Sequence, residues 1–383
     1  MQWHVITPEY PPQLGGVSDY TFQIVQALVE AGDQVHVWTP GIKSCAPAQQ
    51  AVDIHPLPTG FGWRWLRELD SSLRSYSAPR HLLIQYVPHG YGWKSMNLAF
   101  CFWIFLQRNH NVTVMFHEVA YPFRPGQLWR HMLLAVVHRI MAWLILRSAR
   151  HSFTSTDRYL SLLRRLGPSQ ASIRILRLCS NVPLDKYSNG ASGKGKEVRR
   201  AAAVGVFSSF GREICELLEP TIACILQNPQ ITVVLIGPAE LFFQTLLLRY
   251  PMCADRMTTT GRLHVSEVGS HMRPCDVLLQ LYPDGACAAH GTLMAALASG
   301  IPVVTTRGPL TDQFFIERRV VLLSPNAPDS IRSSIESLLA DPAAAEALAN
   351  RARGLYNEAF QPAIITSQLR QATAEIALPV SAE

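Results

Sequence analysis

WHVITPEYPPQLGGVSDYTFQIVQALVEAGDQVHVWTP, residues 3–40, reads as strand, glycine loop, helix and strand. Residues 3–7 are short, apolar and β-prone. Residues 8–17 are rich in Pro and Gly, the residues of turns. From 19 to 31 the apolar residues Phe22, Val25, Leu28 and Val29 recur at helical spacing, with Ser18 or Asp19 as the expected N-cap. Gly32 is a natural helix stop, and residues 35–39 form a second strand. A strand–helix–strand unit of this kind closes by a right-handed parallel crossover.

Beyond it, strand-like runs at 81–86, 112–116 and 151–155 are separated by helical stretches. Residues 181–200 contain SNGASGKGKE, have no periodicity and read as a linker. A second alternation follows. Its strands are expected at 201–207, 231–236, 276–282 and 301–305, and its helices at 213–226, 292–299 and 330–339. A long helical region runs from Pro342 to about Ile376. Two successive doubly wound α/β domains are the simplest reading.

At 383 residues, each half is long enough for a core of its own. The chain is 48% hydrophobic and 16% charged, and its formal net charge of +6 suits an anionic ligand or an anionic membrane surface. The charge reads as diffuse, without a basic stripe of interleaved aromatics, which argues against nucleic acid. Eight cysteines form no CxxC pair and sit mostly in apolar segments, as buried free thiols of a reducing compartment. The first residues lack the basic and apolar blocks of a signal peptide, so a cytoplasmic location is expected. The longest apolar runs, 98–106 and 132–146, fall short of the ~20 residues that span a bilayer. In and around the second stand Trp129, Arg130, His131, His138, Arg139, Trp143, Arg147 and Arg150. That pattern fits a packing helix, or a helix lying on the inner face of the cytoplasmic membrane.

Four stretches sit where an open parallel sheet binds ligands, beyond the carboxyl ends of its strands. The first is TPEYPPQLGGVSDY (7–20), where Gly15 and Gly16 let the backbone approach an anionic group at a helix start. It is not GxGxxG, so a dinucleotide site is disfavoured; a tight turn without a ligand is the bland alternative. The second is VMFHEVAYPFR (114–124). His117 follows an apolar strand and can hydrogen-bond a sugar hydroxyl, although a satisfied structural histidine fits the spacing equally. Glu118 is not part of HExxH, so zinc is unsupported. The third is LYPDGACAAHGTLMAALASGIPVVTT (281–306). There the amides of Gly291, Thr292 and Leu293 open a helix suited to a diphosphate, flanked by Asp284 and His290. The alternative is a tightly packed strand–helix unit. The fourth is VGVFSSFGREI (204–214), where Arg212 starts a helix and either pairs with phosphate oxygens or stands solvated. The chain has no D-x-D pair for a metal on a diphosphate, and neither GxxxxGK[ST] nor GxSxG.

Taken in this order, the motifs resemble the GT-B glycosyltransferases, specifically family 4-like enzymes. Residues 3–40 look like their N-terminal signature, and ALASGIPVVTTRGPLTD (296–312) looks like their donor-domain signature. QYVPHGYG (85–92) and FHEVAYPF (116–123) look like a bacterial subgroup active in polysaccharide biosynthesis. The resemblance implies two Rossmann-like domains facing a central cleft: an acceptor-binding domain over 1–185 and a donor-binding domain over 186–357. A helix at about 358–378 would cross back to the first. It implies retaining transfer from a nucleotide-diphosphate sugar to a glycan, glycolipid or polyprenyl-linked acceptor. No metal and no cofactor are implied, the donor being a co-substrate.

By the same resemblance, His117 matches the active-site histidine, and Gly15 and Gly16 lie against the donor phosphate or sugar. Arg212 lies near a basic pair for the diphosphate, and Gly291, Thr292 and Leu293 match the helix start at the phosphates. The chain also departs from the pattern. Cys287 and Ala295 stand where the family has two glutamates, with Asp284 filling the first role if the loop is longer, and Val206 stands where it has an arginine. Altered nucleotide recognition is therefore expected. Two other readings stay open. One is a catalytically silent member that binds a nucleotide sugar or a partner transferase; the other is a sugar-nucleotide epimerase using Glu118 and Asp284.

Overall fold

The computed structural model describes residues 1–13, 15–41, 52–58, 60–123, 126–168, 172–182 and 201–374. The chain forms two compact units, Met1–Leu178 with Pro362–Glu383, and Cys179–Gln361. The expected boundary at 185/186 and the expected linker from 183 onward lie outside the described residues.

The N-terminal unit runs β1 (Gln2–Ile6), α1 (Gly16–Glu30), β2 (Gln34–Pro40), β3 (Val52–Leu57), α2 (Trp63–Leu73), β4 (His81–Tyr86), α3 (Leu98–Leu106), β5 (Asn111–Phe116), α4 (Trp129–Leu146), β6 (His151–Thr154), α5 (Asp157–Leu166) and β7 (Ser172–Ile175). Its seven strands are ordered β3-β2-β1-β4-β5-β6-β7. All pairings are parallel, with Val5 beside both Val37 and Leu83. The runs HLLIQY and NVTVMF are nearly continuously apolar because helices cover both faces of the inner strands. Strand order reverses at β1 and β4, the place where open sheets of this type bind ligands.

α1 begins at Gly16 with Gly15 as N-cap, not at Ser18 or Asp19. Ser18 thus lies inside the first turn, where its hydroxyl donates to the carbonyl of Gln13 at 2.7 Å. Gly32 sits just past the helix in the left-handed region (φ 84°), as its place in the sequence required. Asp33 is buried beneath, accepting from Trp3 Nε1 at 3.1 Å and pairing with Arg370 at 3.2 Å.

The C-terminal unit runs β8 (Ala202–Phe207), α6 (Arg212–Ile225), β9 (Ile231–Ile236), α7 (Glu240–Arg249), β10 (Met257–Thr259), α8 (Val265–Met272), β11 (Val277–Gln280), α9 (Gly291–Ser299), β12 (Val303–Thr306), α10 (Gln313–Arg318), β13 (Leu322–Ser324), α11 (Pro328–Ala340) and α12 (Pro342–Ala359). Its strand order, β10-β9-β8-β11-β12-β13, repeats the plan of the first sheet. The long helical region expected from 342 to 376 is two helices, not one. α12 ends at Ala359, and Pro362, which lacks an amide hydrogen to continue it, opens α13 (Pro362–Ala374). α13 belongs to the N-terminal unit and packs on α1.

α4 is apolar on two sides. Ala135, Met141 and Ile145 face the core, whereas Trp129, Leu133, Val136, Ile140 and Trp143 face outward at i, i+3 and i+4 spacing. α4 is also the one helix among the described residues long and apolar enough to cross a membrane by length and composition.

Candidate active site

At the carboxyl edge of the first sheet, His117 directly follows β5, and its amide donates to the carbonyl of Tyr86 at 2.9 Å, carrying the ladder one residue further. Its Nε2 lies 2.8 Å from Oε1 of Gln85, a buried residue near the end of β4. An amide oxygen only accepts, so Nε2 carries the proton and Nδ1 presents a lone pair. Tyr20 of α1 meets the imidazole edge-on, ring centroids 5.0 Å apart. Burial pulls the His117 pKa down to about 4, against the weaker opposing pull of the Glu118 charge. The result is an oriented, neutral imidazole with one acceptor nitrogen.

Two carboxylates flank it. Glu118 bonds His89 at 3.2 Å, which raises the histidine pKa and lowers that of the glutamate, and both side chains are largely exposed. Glu9 folds back onto the start of α1, where its Oε1 accepts from the Ser18 amide at 3.3 Å. A Cβ on Gly15 would press on that carboxylate, the mobile end of a long side chain. Thus the helix start expected to take a donor phosphate holds the chain's own carboxylate. Gly16 faces open space.

At the corresponding edge of the second sheet, α9 opens at Gly291 with His290 as N-cap. The His290 ring stacks on Tyr282 with centroids 3.7 Å apart and planes 7° from parallel. The Tyr282 hydroxyl lies 2.8 Å from Oγ1 of Thr292, donates to Gln280 Oε1 at 3.2 Å, and takes the Leu293 amide as a further partner. The loop before the helix is tied down from the other side. The Ala288 amide donates to Asp312 at 2.6 Å, and Gly285 adopts φ 97° where any Cβ would collide with Gly308 and Thr311. Burial holds His290 down to about 4 and pushes the Cys287 thiol up to about 11, so this neighbouring pair is uncharged at neutral pH.

The residues singled out in the sequence therefore divide. Gly291 and Thr292 open a helix whose first amides have no partner inside the helix itself. The Leu293 side chain is wholly buried, so it offers only its amide, and Tyr282 meets that. The Asp284 side chain is exposed, and its carbonyl accepts from Leu310 at 2.8 Å. Arg212 is 91% exposed and paired with Glu216 one turn on, at 2.8 Å, as a solvated helix-start arginine would be. Ala295 lies in the core. Gln85, Tyr20, Glu9 and Tyr282 were not singled out. Gln85 had left two signals, as a polar residue near the end of an otherwise apolar strand and as the first residue of the QYVPHGYG stretch. Among the described residues, no three His, Cys, Asp or Glu side chains gather to hold a metal.

Two sequence-family models match the chain. Residues 15–179 match the glycosyl transferase 4-like domain, and residues 212–369 match a glycosyl transferase-like domain. No curated protein gives a significant match. Among solved structures, sucrose-phosphate synthase from Thermosynechococcus elongatus is 19% identical, with a TM-score of 0.73 over 98% of this chain and 99% of that one. HepE of Anabaena, solved with UDP and glucose, is 15% identical, with a TM-score of 0.67 over 97% and 99%. A glycosyltransferase from Rickettsia africae is 10% identical, with a TM-score of 0.71 over 99% and 98%. At such identities the likeness is one of fold. With glycosyltransferase domain models on both halves and this fold along its length, the chain belongs to the GT-B glycosyltransferases, its N-terminal half being family 4-like.

Proposed function

We propose that the protein is a retaining hexosyltransferase that moves a sugar from a nucleotide-diphosphate donor to a glycan, glycolipid or polyprenyl-linked acceptor. The observation that carries this reading is the neutral His117, fixed through Gln85 with Nδ1 as its acceptor. A hydroxyl of the transferred sugar or of the acceptor donates to Nδ1 and is oriented by it. The diphosphate lies at the start of α9, where the amides of Gly291 and Thr292 and the helix dipole offset its charge. Arg212, released from Glu216, adds a guanidinium.

The acceptor oxygen forms its bond to the anomeric carbon on the face from which the diphosphate oxygen leaves, so configuration is retained. The acceptor proton passes to a phosphate oxygen of the departing diphosphate. HepE, solved with UDP and glucose, supports the choice of donor class. Donor hydrolysis across a panel of nucleotide-diphosphate sugars tests the reading, and it fails if no donor is bound or turned over. Cys287 and Ala295 favour a second reading, a silent member that binds donor without turning it over. Binding without turnover, together with stable association with an active transferase, distinguishes it.

A further inference from the structure

We propose that the outer face of α3 and α4 docks the N-terminal unit onto the surface of an anionic lipid bilayer. A helix that is apolar all round needs cover on every side. The inner side of α4 has it; the outer side does not, and Trp129 is 75% exposed at its start. α3 packs beside α4 and presents Phe102, 51% exposed, and Leu106 outward in the same way. Large outward-facing side chains on two neighbouring helices mark an interaction surface.

The charge around this face names the partner. Between Ser71 and Thr156 there are nine Lys and Arg and a single acidic residue, Glu118. Neither helix carries an Asp or Glu. On these two helices and within two residues of their ends stand Arg108, Arg130, Arg139 and Arg147, with no acidic residue among them. Arg108 and Arg147 flank the face, each held over an aromatic ring, Phe105 at 5.3 Å and Trp143 at 4.7 Å. Aliphatic residues with tryptophan and a basic surround suit the boundary between acyl chains and anionic headgroups. Nucleic acid offers no apolar phase for Leu133, Val136 and Ile140. A second copy of the chain would set two basic faces against each other.

α4 lies flat rather than across the bilayer. Its 18 residues span about 27 Å, at the lower end of what crosses a hydrocarbon core of ~30 Å, so length alone does not decide. Its inner side is pinned, since His138 donates to the carbonyl of Ser95 at 2.8 Å and accepts from the Tyr121 amide at 3.1 Å.

Flotation of the full chain with vesicles tests this, using phosphatidylcholine alone and phosphatidylcholine with phosphatidylglycerol at about 3:1. The chain is expected to float with the anionic vesicles, about tenfold less with the neutral ones, and about tenfold less at ~0.5 M salt. The triple variant Trp129→Ser, Leu133→Gln, Ile140→Gln replaces only outward-facing side chains. It is expected to lose about tenfold of the bound fraction while keeping the wild-type circular dichroism spectrum and donor hydrolysis. Flotation indifferent to anionic lipid, or a triple variant that floats like the wild type, overturns the proposal. So does a wild-type dimer in solution that the triple variant converts to a monomer. Flotation reads the face without any sugar chemistry, so its outcome and that of the transferase reading are separable.

Discussion

The carboxyl edges of the two sheets share one strand plan and are furnished differently. In the N-terminal unit the edge is built from titratable side chains: His117 held by Gln85, His89 bonded to Glu118, and Glu9 folded onto α1. In the C-terminal unit the side chains at the start of α9 are uncharged, with a protonated Cys287 thiol, a neutral His290 stacked on Tyr282, and Ala295 in the core, while the carboxylates of Asp284 and Asp312 belong to the loops beside it. Under the proposed transfer, the contrast divides its two tasks between different kinds of group. Oriented side chains read the hydroxyls of a sugar, one bond at a time. Helix amides attract any diphosphate and read little of the nucleotide attached to it.

The largest expected effect breaks the comparison on the side-chain half. His117→Ala should lower donor turnover by about a hundredfold, the loss expected when a group that orients a reacting sugar is removed. Donor affinity, measured by thermal shift, should change by no more than about threefold, because a neutral imidazole offers the diphosphate no charge. A variant as active as the wild type removes His117 from the chemistry.

On the backbone half, Ala295→Glu restores the family's glutamate at a position with no exposed surface. Burying an unpaired carboxylate should cost about 3 kcal/mol of stability in urea denaturation, with no gain in nucleotide affinity. Tighter nucleotide binding at unchanged stability would mean that the site reads the ribose through this helix after all.

Much of the edge that these variants probe was legible in the sequence, and the reason is local. β4 and β5 read as strands because both faces are covered, so apolar residues run almost without break. β3 was missed because it is an edge strand carrying Asp53, His55 and Pro56, residues an edge tolerates and an interior strand does not. His117, Gly291 and Thr292 were visible because each stands where a strand or helix begins or ends. Their partners were not. Gln85 reaches His117 across 32 positions, and Glu9 reaches the Ser18 amide around a loop. Only the folded chain brings such pairs together. The basic residues around α4 were legible as well, in Arg130, Arg139, Arg147 and Arg150; which apolar side chains of α4 face outward was not, because only the packing of the folded chain decides it.

A smaller effect sharpens the role of Gln85. Gln85→Leu should lower kcat about tenfold with little change in KM, because the imidazole loses the acceptor that fixes its tautomer. Gln85→Glu keeps that acceptor and adds a negative charge, so it should recover part of the rate and move the acid limb of the pH profile upward from about 4. If both variants lose rate equally, with the same pH profile, Gln85 serves packing only.

The smallest effect is on stability. His4 is depressed to about 3, and His117 and His290 to about 4, in each case chiefly by burial, against an ordinary value of 6.5. The unfolded chain therefore takes up protons first as the pH falls. The stability tied to these neutral rings is present above about 6.5 and is lost progressively toward 4. Calorimetry should show the melting temperature falling between pH 7 and pH 5, while catalysis keeps its neutral His117 over the same range. A melting temperature that rises on acidification contradicts the burial of these rings.

The most direct test of the account is NMR of donor turnover by the wild type and by His117→Ala, across a panel of nucleotide-diphosphate sugars. The prediction is that at least one donor is cleaved by the wild type with the anomeric configuration of the released or transferred sugar retained, and that His117→Ala binds the same donor but barely turns it over. Inverted product, or equal turnover by both proteins, would contradict it.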